Sequence, residues 1–383
     1  PRVTQCTPPP RNWLLHFVRV RRTVSGASNL KGLILSGGKG TRLRPITYTS
    51  AKQLVPVANT PVLFFGIRSM VEAGISEIGI IIAPETGGEI REAVGDGSQF
   101  GAQVTFIEQD SPAGLAHAVL TAEPFLGSDP FVMYLGDNLL QGGIKGLVDR
   151  FSADSPDALI LLTEVDDPQS FGIVELEDGK VARLVEKPKE PKSNLALVGV
   201  YLFTAQIHDA ARAIEPSPRG ELEITDAIQH LVNTGQTVLS EVVEGWWKDT
   251  GKLADMLEAN RLVLDTLHGS NRGTLIDSEV EGRVVVAEGA VLERAVVRGP
   301  AVIGEGARIV DAYIGPYTAI GEGCVVDHAE LENSILLDGS SISHMDSRVE
   351  GSLIGRGAKV ERGPKMPSAI RLLIGDSSHV RLP

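Results

Sequence analysis

A chain of 383 residues exceeds what one ordinary hydrophobic core supports, so two domains are expected, and 42% hydrophobic content is enough to fill them. A formal net charge of −13 with no basic stripe argues against nucleic acid as a partner, and no apolar run is long enough to cross a bilayer. The two cysteines, Cys6 and Cys324, make neither a metal nor a disulfide pattern, which fits a reducing compartment and a cytoplasmic protein.

Residues 1–31 carry six cations and no acid. Trp13 to Val20 is too short and too charged for a secretory core. A transit peptide would suit the composition, but residues 1–30 are expected to be a disordered extension outside the fold. Leu33, Ile34 and Leu35 then read as a buried strand. The strand breaks into Ser36-Gly37-Gly38-Lys39-Gly40-Thr41-Arg42, with Pro45 close behind. Three glycines in four residues let the backbone approach a ligand and leave N–H groups free to point at an anion. Arg42 offers a fork of donors suited to phosphate oxygens, and Lys52 is a second cation. The spacing matches neither the P-loop nor the dinucleotide fingerprint. It describes a cradle for a polyphosphate.

Beyond the cradle, the apolar spacing of residues 61–73 predicts a helix closed by Gly74. Strands are predicted over 78–83, 104–107 and 131–135, and helices over 87–94 and 115–122. Such alternation implies parallel βαβ units in a doubly wound, mostly parallel α/β sheet, whose ligands sit at the carboxyl ends of the strands. Two motifs fall there. Gln109 precedes a Pro112-Ala113-Gly114 turn and a helix start, and its amide can pair with the ring edge of thymine or uracil. In Leu135-Gly136-Asp137-Asn138 an acid at the tip of a buried strand suits a metal ion, although an N-cap role would explain it too.

Further strands are predicted over 159–165, 171–176, 181–185, 197–203 and 238–243. The charge run Glu186 to Lys192 between prolines would ordinarily be a solvated loop. Residues 253–267 form an amphipathic helix. From about Gly273 the period changes. Apolar residues recur every six positions, from Ile303 to Ile309, Ile314 to Ile320 to Val326, Leu336 to Ile342, and Ile354 to Val360. A hexapeptide period signals a β-helix, because each coil buries its apolar residue only against stacked neighbours. The register slips by one between Ile309 and Ile314. His328 and His344 have no visible partner and read as structural, so this part reads as an assembly or regulatory element. The expected division is 31–270 for the α/β domain and 271–383 for a left-handed β-helix with a tail.

These motifs resemble the sugar-phosphate nucleotidyltransferases, and among them the long-form glucose-1-phosphate thymidylyltransferases that carry a C-terminal β-helix. The family's GGxGTRL pattern, with a following Pro and a Lys near a second Pro, is met by Gly37, Gly38, Gly40, Thr41, Arg42, Leu43, Pro45, Lys52 and Pro56. The resemblance implies that the nucleotide is bound by Leu35, Gly37, Gly38, Gly40, Thr41, Arg42, Lys52, Gln109, Pro112, Gly114, Leu115, Ala116, Gly136 and Asp137. It places Gly172, Glu186, Lys187 and Gly199 on the sugar phosphate, with Trp247 as a wall and Glu221 ordering another. Asp137 and Asp249 would ligate Mg²⁺, and Arg42, Lys52 and Lys187 would be catalytic. The implied reaction joins dTTP and glucose 1-phosphate into dTDP-glucose and pyrophosphate, in a homo-oligomer. The competing readings are a transferase for UTP or another nucleotide, a hexapeptide acyltransferase, and a non-catalytic sensor.

Overall fold

The computed structural model describes residues 30–363 except Lys39 and Thr49, so the expected N-terminal extension up to residue 29 and the tail beyond 363 lie outside the described residues. The first part is built from β1 (Lys31–Leu35), α1 (Val62–Glu72), β2 (Glu77–Ile82), α2 (Gly87–Val94), β3 (Gln103–Glu108), α3 (Leu115–Thr121) and β4 (Phe131–Leu135). It continues through β5 (Asn138–Leu140), α4 (Lys145–Asp154), β6 (Ala158–Glu164), β7 (Gly172–Glu177), β8 (Lys180–Glu186) and β9 (Leu195–Phe203). Last come α5 (Gln206–Ala213), α6 (Ile224–Asn233), β10 (Val238–Val242), β11 (Trp247–Asp249) and α7 (Leu253–Leu264).

One nine-stranded sheet runs β8-β7-β9-β4-β1-β2-β3, with β6 on β9 and β10 on β6. β4, β1, β2 and β3 are mutually parallel, whereas the long β9 runs against β4, β6 and β7. Side chains alternate along each strand, so Leu33 and Leu35 pack toward α3, α5 and α6, while Ile34 faces α1, α2 and α4. Helices therefore cover both faces, which is why β1, β2 and β4 read as continuous apolar runs. The short strands β5 and β11 leave no periodic trace in the sequence. They pair antiparallel, with Asn138 opposite Asp249.

From Ser270 the chain winds into three parallel sheets of short strands, the left-handed β-helix expected from the period. Val284 pairs with Ala301 and Ala301 with Thr318, so a coil takes 17 residues rather than three hexapeptides. Val286, Leu292, Val297, Ile303, Ile309, Ile314, Ile320, Val326 and Leu331 point inward and are fully buried. The slip at Ile309 to Ile314 recurs at Leu292 to Val297 and at Val326 to Leu331, while the later coils take 16 and then 18 residues, Ala319 pairing with Ile335 and Ile335 with Leu353. At that corner Asp277, Arg294, Asp311, His328 and His344 stack with left-handed φ of 45 to 54°. The expectation that His328 and His344 lack partners is corrected here. The ring Nδ1 of His328 lies 2.7 Å from Asp327 Oδ1, and the two imidazoles are 5.2 Å apart.

The outer face of the first of these sheets packs on the α/β part. Val302, Ala319, Ile335 and Leu337 meet Leu43, Val55, Val57, Val62, Met256 and Val263. Two amides fasten the seam. Asn59 Nδ2 donates to Ile320 O at 2.6 Å, and the fully buried Asn260 accepts from Ala58 N while donating to Tyr317 O at 2.9 Å. The second domain lies directly behind the segment that carries the cradle.

Candidate active site

The cradle hangs between strand ends closed by Ser36 N to Ile81 O and Gly136 N to Leu35 O, at 2.8 and 2.9 Å. Gly40 has φ 62°, and a Cβ there would stand 2.8 Å from Lys52 Cβ, so only glycine lets Lys52 reach this position. Thr47 Oγ1 donates to Gly40 O at 2.6 Å and fixes the loop. In the turn Thr41–Leu43, Leu43 is buried in the seam and Arg42 is left exposed. The turn bearing Lys52 is held by Glu89 of α2, whose carboxylate accepts from Ser50 Oγ and from Ala51 N, both at 2.7 Å.

Lys52 Nζ pairs with Asp137. Asp249 sits alongside. Thr250 donates to Asp137 O from its backbone N at 3.0 Å and from its hydroxyl at 2.8 Å, which locks β11 against the loop that carries Asp137. The Arg42 guanidinium lies over Gly251, next to Asp249. Burial first, and then the Asp137 charge, push Asp249 up to about 6, against the pull of Lys52 and Arg42. Its Oδ1 is buried with no hydrogen-bond partner among the described residues. A buried orphan carboxylate oxygen beside a second acid is a donor set that fits a hard divalent cation.

Asn138, nearly fully buried, ties this pair to the rest of the site. Its Nδ2 donates to Asp137 Oδ1 at 3.0 Å, and its Oδ1 accepts from Trp247 Nε1 at 2.6 Å and Gly199 N at 3.2 Å. The space a Gly199 side chain would need is filled by Asn138. The Trp247 ring meets Phe171 edge-on at 5.7 Å, and Phe171 O accepts from Lys187 N at 3.0 Å. Lys187 adopts φ 43°, a strained setting for a non-glycine residue that its neighbours must enforce. Its ammonium is 3.4 Å from Glu186 Oε1. Burial, more than the nearby Glu223 charge, raises the Glu186 carboxyl above the usual range despite Lys187 and Arg219. Gly172 is paired with Glu186 across β7 and β8. A groove of about 1020 Å³ opens here along Glu186, Lys187, Arg219 and Glu223, and it includes none of the cradle residues.

Just past the end of β3, Gln109 Nε2 donates to Gly114 O at 3.3 Å and lies 2.9 Å from His117 Nδ1. Gly114 has φ 107°, and a Cβ there would come within 2.4 Å of Leu222 O. Leu222 in turn bonds Ala113 O and Ala116 N. This wall is ordered by the Leu222 backbone, while the Glu221 side chain reaches Arg219 at 3.4 Å. Pro112 is exposed and Leu115 half-buried at the mouth of the turn.

The sequence matches the nucleotidyl transferase family over residues 31–266. A glucose-1-phosphate thymidylyltransferase of Streptomyces antibioticus is 55% identical over 356 residues, 92% of this chain and 99% of that protein. The chain belongs to the glucose-1-phosphate thymidylyltransferase family. Another relative of this family member is the low-salt glycan biosynthesis nucleotidyltransferase Agl11 of Haloferax volcanii, 49% identical over 92% of this chain and all of that protein. Among solved structures, a Bacillus anthracis protein provisionally named glucose-1-phosphate thymidylyltransferase, determined with sucrose, superposes with a TM-score of 0.59. It is 36% identical and covers 63% of this chain and 98% of its own.

Among thymidylyltransferase positions that motif reading passed over, Asn138, His117, Glu89 and Gln53 stand out. Asn138 follows Asp137 and His117 lies just past Ala116 in the chain, but nothing in their neighbours marks their side chains as connectors. Gln53 is 1% exposed at the back of Gly38, and Glu89 looks like any acid in the first turn of a helix.

Proposed function

We propose that this enzyme joins dTTP to glucose 1-phosphate, releasing pyrophosphate and dTDP-glucose. The observation that carries this reading is the convergence of Arg42, Lys52, Asp137 and Asp249 at one rim of the sheet, beneath the glycine loop. In this reading the triphosphate lies across Gly37, Gly38, Gly40 and Thr41, with Leu35 and Gly136 as its floor. Arg42 and Lys52 neutralise it. Gln109, Pro112, Gly114 and Leu115 take the pyrimidine. Lys187 holds the sugar phosphate, Glu186 a sugar hydroxyl, Gly172 and Gly199 give the sugar room, and Trp247 closes the wall. Asp137 and Asp249 would hold Mg²⁺, which supplies positive charge for the phosphate oxygens when bound.

A sugar-phosphate oxygen attacks the α-phosphorus in line, a new P–O bond forms, and the bond to the β-phosphate breaks on the opposite side. The nucleophile is already anionic, so no general base is required. Positioning and charge neutralisation supply the rate. Loss of one such donor costs about 10²–10³ in turnover. Lys187→Ala is therefore expected to lower turnover by at least that much while calorimetry shows dTTP binding intact. Unchanged turnover removes Lys187 from the mechanism. Pyrophosphate release across a panel of nucleotides and sugar 1-phosphates tests the pairing. One methyl group is worth only about 1–3 kcal/mol in a pocket, so UTP is expected to be a poorer substrate rather than inert. The β-helix is assigned to assembly of a homo-oligomer, which sedimentation would test.

A further inference from the structure

A glutamine that reads a base has an ambiguity built into it. Turning its amide by 180° exchanges donor and acceptor without changing shape. In this protein the choice is made. Gly114 O can only accept, so the amide nitrogen of Gln109 belongs on that side, at 3.3 Å. The oxygen then turns the other way, toward Gly37, 3.5 Å from where a Cβ on that glycine would stand. The contact to Gly114 is long. The stronger one is the 2.9 Å approach of the same nitrogen to Nδ1 of His117, which must accept and so carries its proton on Nε2.

We propose that His117 is a positioning residue for nucleotide choice: by accepting from Gln109 it locks the amide with its carbonyl toward the cradle, so that a base with N–H at ring position 3 is taken and cytosine is refused. The inference rests on the reading of Gln109 as the base-contacting residue. Thymine and uracil offer N3–H, a donor for the Gln109 carbonyl, whereas both amide hydrogens are already engaged by Gly114 O and His117 Nδ1. Cytosine has the same outline with the pattern inverted, a lone pair at N3 and an amino group beside it. Facing the locked amide, its N3 lone pair would set acceptor against acceptor at the Gln109 carbonyl. A reversed amide would suit cytosine, but it would press Oε1 against Gly114 O and force His117 to move its proton. His117 sits in the first turn of α3 and is half-buried, so its backbone is fixed by the helix.

The test is kcat and KM for dTTP, UTP and dCTP with His117→Leu, His117→Asn and Gln109→Leu, each checked for a native melting transition. His117→Leu is expected to raise KM for dTTP about tenfold with kcat within about threefold, and to narrow the dTTP-to-dCTP ratio of kcat/KM at least tenfold. His117→Asn, whose Oδ1 can accept where Nδ1 did, should restore most of that ratio. A ratio that stays at the wild-type value in His117→Leu, or that Asn does not rescue, overturns the lock. Gln109→Leu separates the two ideas. If it leaves base discrimination intact, Gln109 is not the reader; if it collapses discrimination while His117→Leu does not, only the lock is lost.

Discussion

Asn138 shows how much a single buried amide can organise. One oxygen serves a tryptophan and a backbone N–H while the nitrogen orients Asp137, so Asp137, Trp247 and Gly199 share one rigid joint. His208 is the opposite case. Its ring lies stacked 5.9 Å from Phe131, buried, and neither nitrogen has a partner among the described residues. Burial lowers its affinity for protons below that of a free histidine. The unfolded chain would bind that proton near pH 6.5 and the folded chain resists it. Stability from this site is thus complete above about pH 6.5 and declines as pH falls below it. His208→Phe is expected to flatten the fall in Tm between about pH 7 and 5. An equal fall in both proteins would show that acid acts elsewhere.

At the scale of elements, the site is made by short pieces wedged between long ones. The turn that carries Gly114 and the segment ending in Leu222 touch through backbone, and Gly114 is the point of contact. Gly114→Ala would combine a positive φ with a side chain driven into a carbonyl, so the turn must move. KM for dTTP is expected to rise about tenfold or more. Gly74 is a useful contrast, since it also has positive φ but nothing lies within 4 Å of a Cβ there. Gly74→Ala should cost about 1 kcal/mol in a denaturant melt and leave KM alone. Equal KM effects in the two variants would mean that strain, not displacement of the Gly114 turn, is responsible.

For the whole molecule, the β-helix is a brace as well as an appendage. Its outer face shields Leu43 and Val55, which flank Arg42 and Lys52 along the chain, and Arg356 reaches Glu89 at 3.3 Å, the carboxylate that holds the Lys52 turn. That last pair is exposed and contributes little by itself. The apolar seam is the substantial contact. Cutting the chain after residue 266 would uncover the faces of Val57, Val62, Met256 and Val263 that meet the β-helix, a loss of burial at about 25 cal/mol per Å² from a domain that is only marginally stable. The shortened protein is expected to melt lower or aggregate, with weaker dTTP binding in any soluble fraction. A fragment with full-length Tm and KM would disprove the brace.

Features that depend on neighbours in the chain were legible from residues alone: the apolar strands, the glycine loop with its cations, Asp137 at a strand tip, the six-residue period of the β-helix. Each is written in side-chain alternation or in turn chemistry within a few positions. What depended on distant partners was not. Asp249 joins Asp137 through two three-residue strands too short to show a period, and Trp247 meets Asn138 across 109 residues. The recurring five-residue side of the early coils became intelligible only once the stacked corners were seen. The seam behind the cradle was invisible because Val55 or Val302 reads as core in any setting, and only the fold decides which core it joins. Local chemistry chose the elements of this enzyme; the meeting of its acids and cations was left to packing between residues that the chain itself keeps far apart.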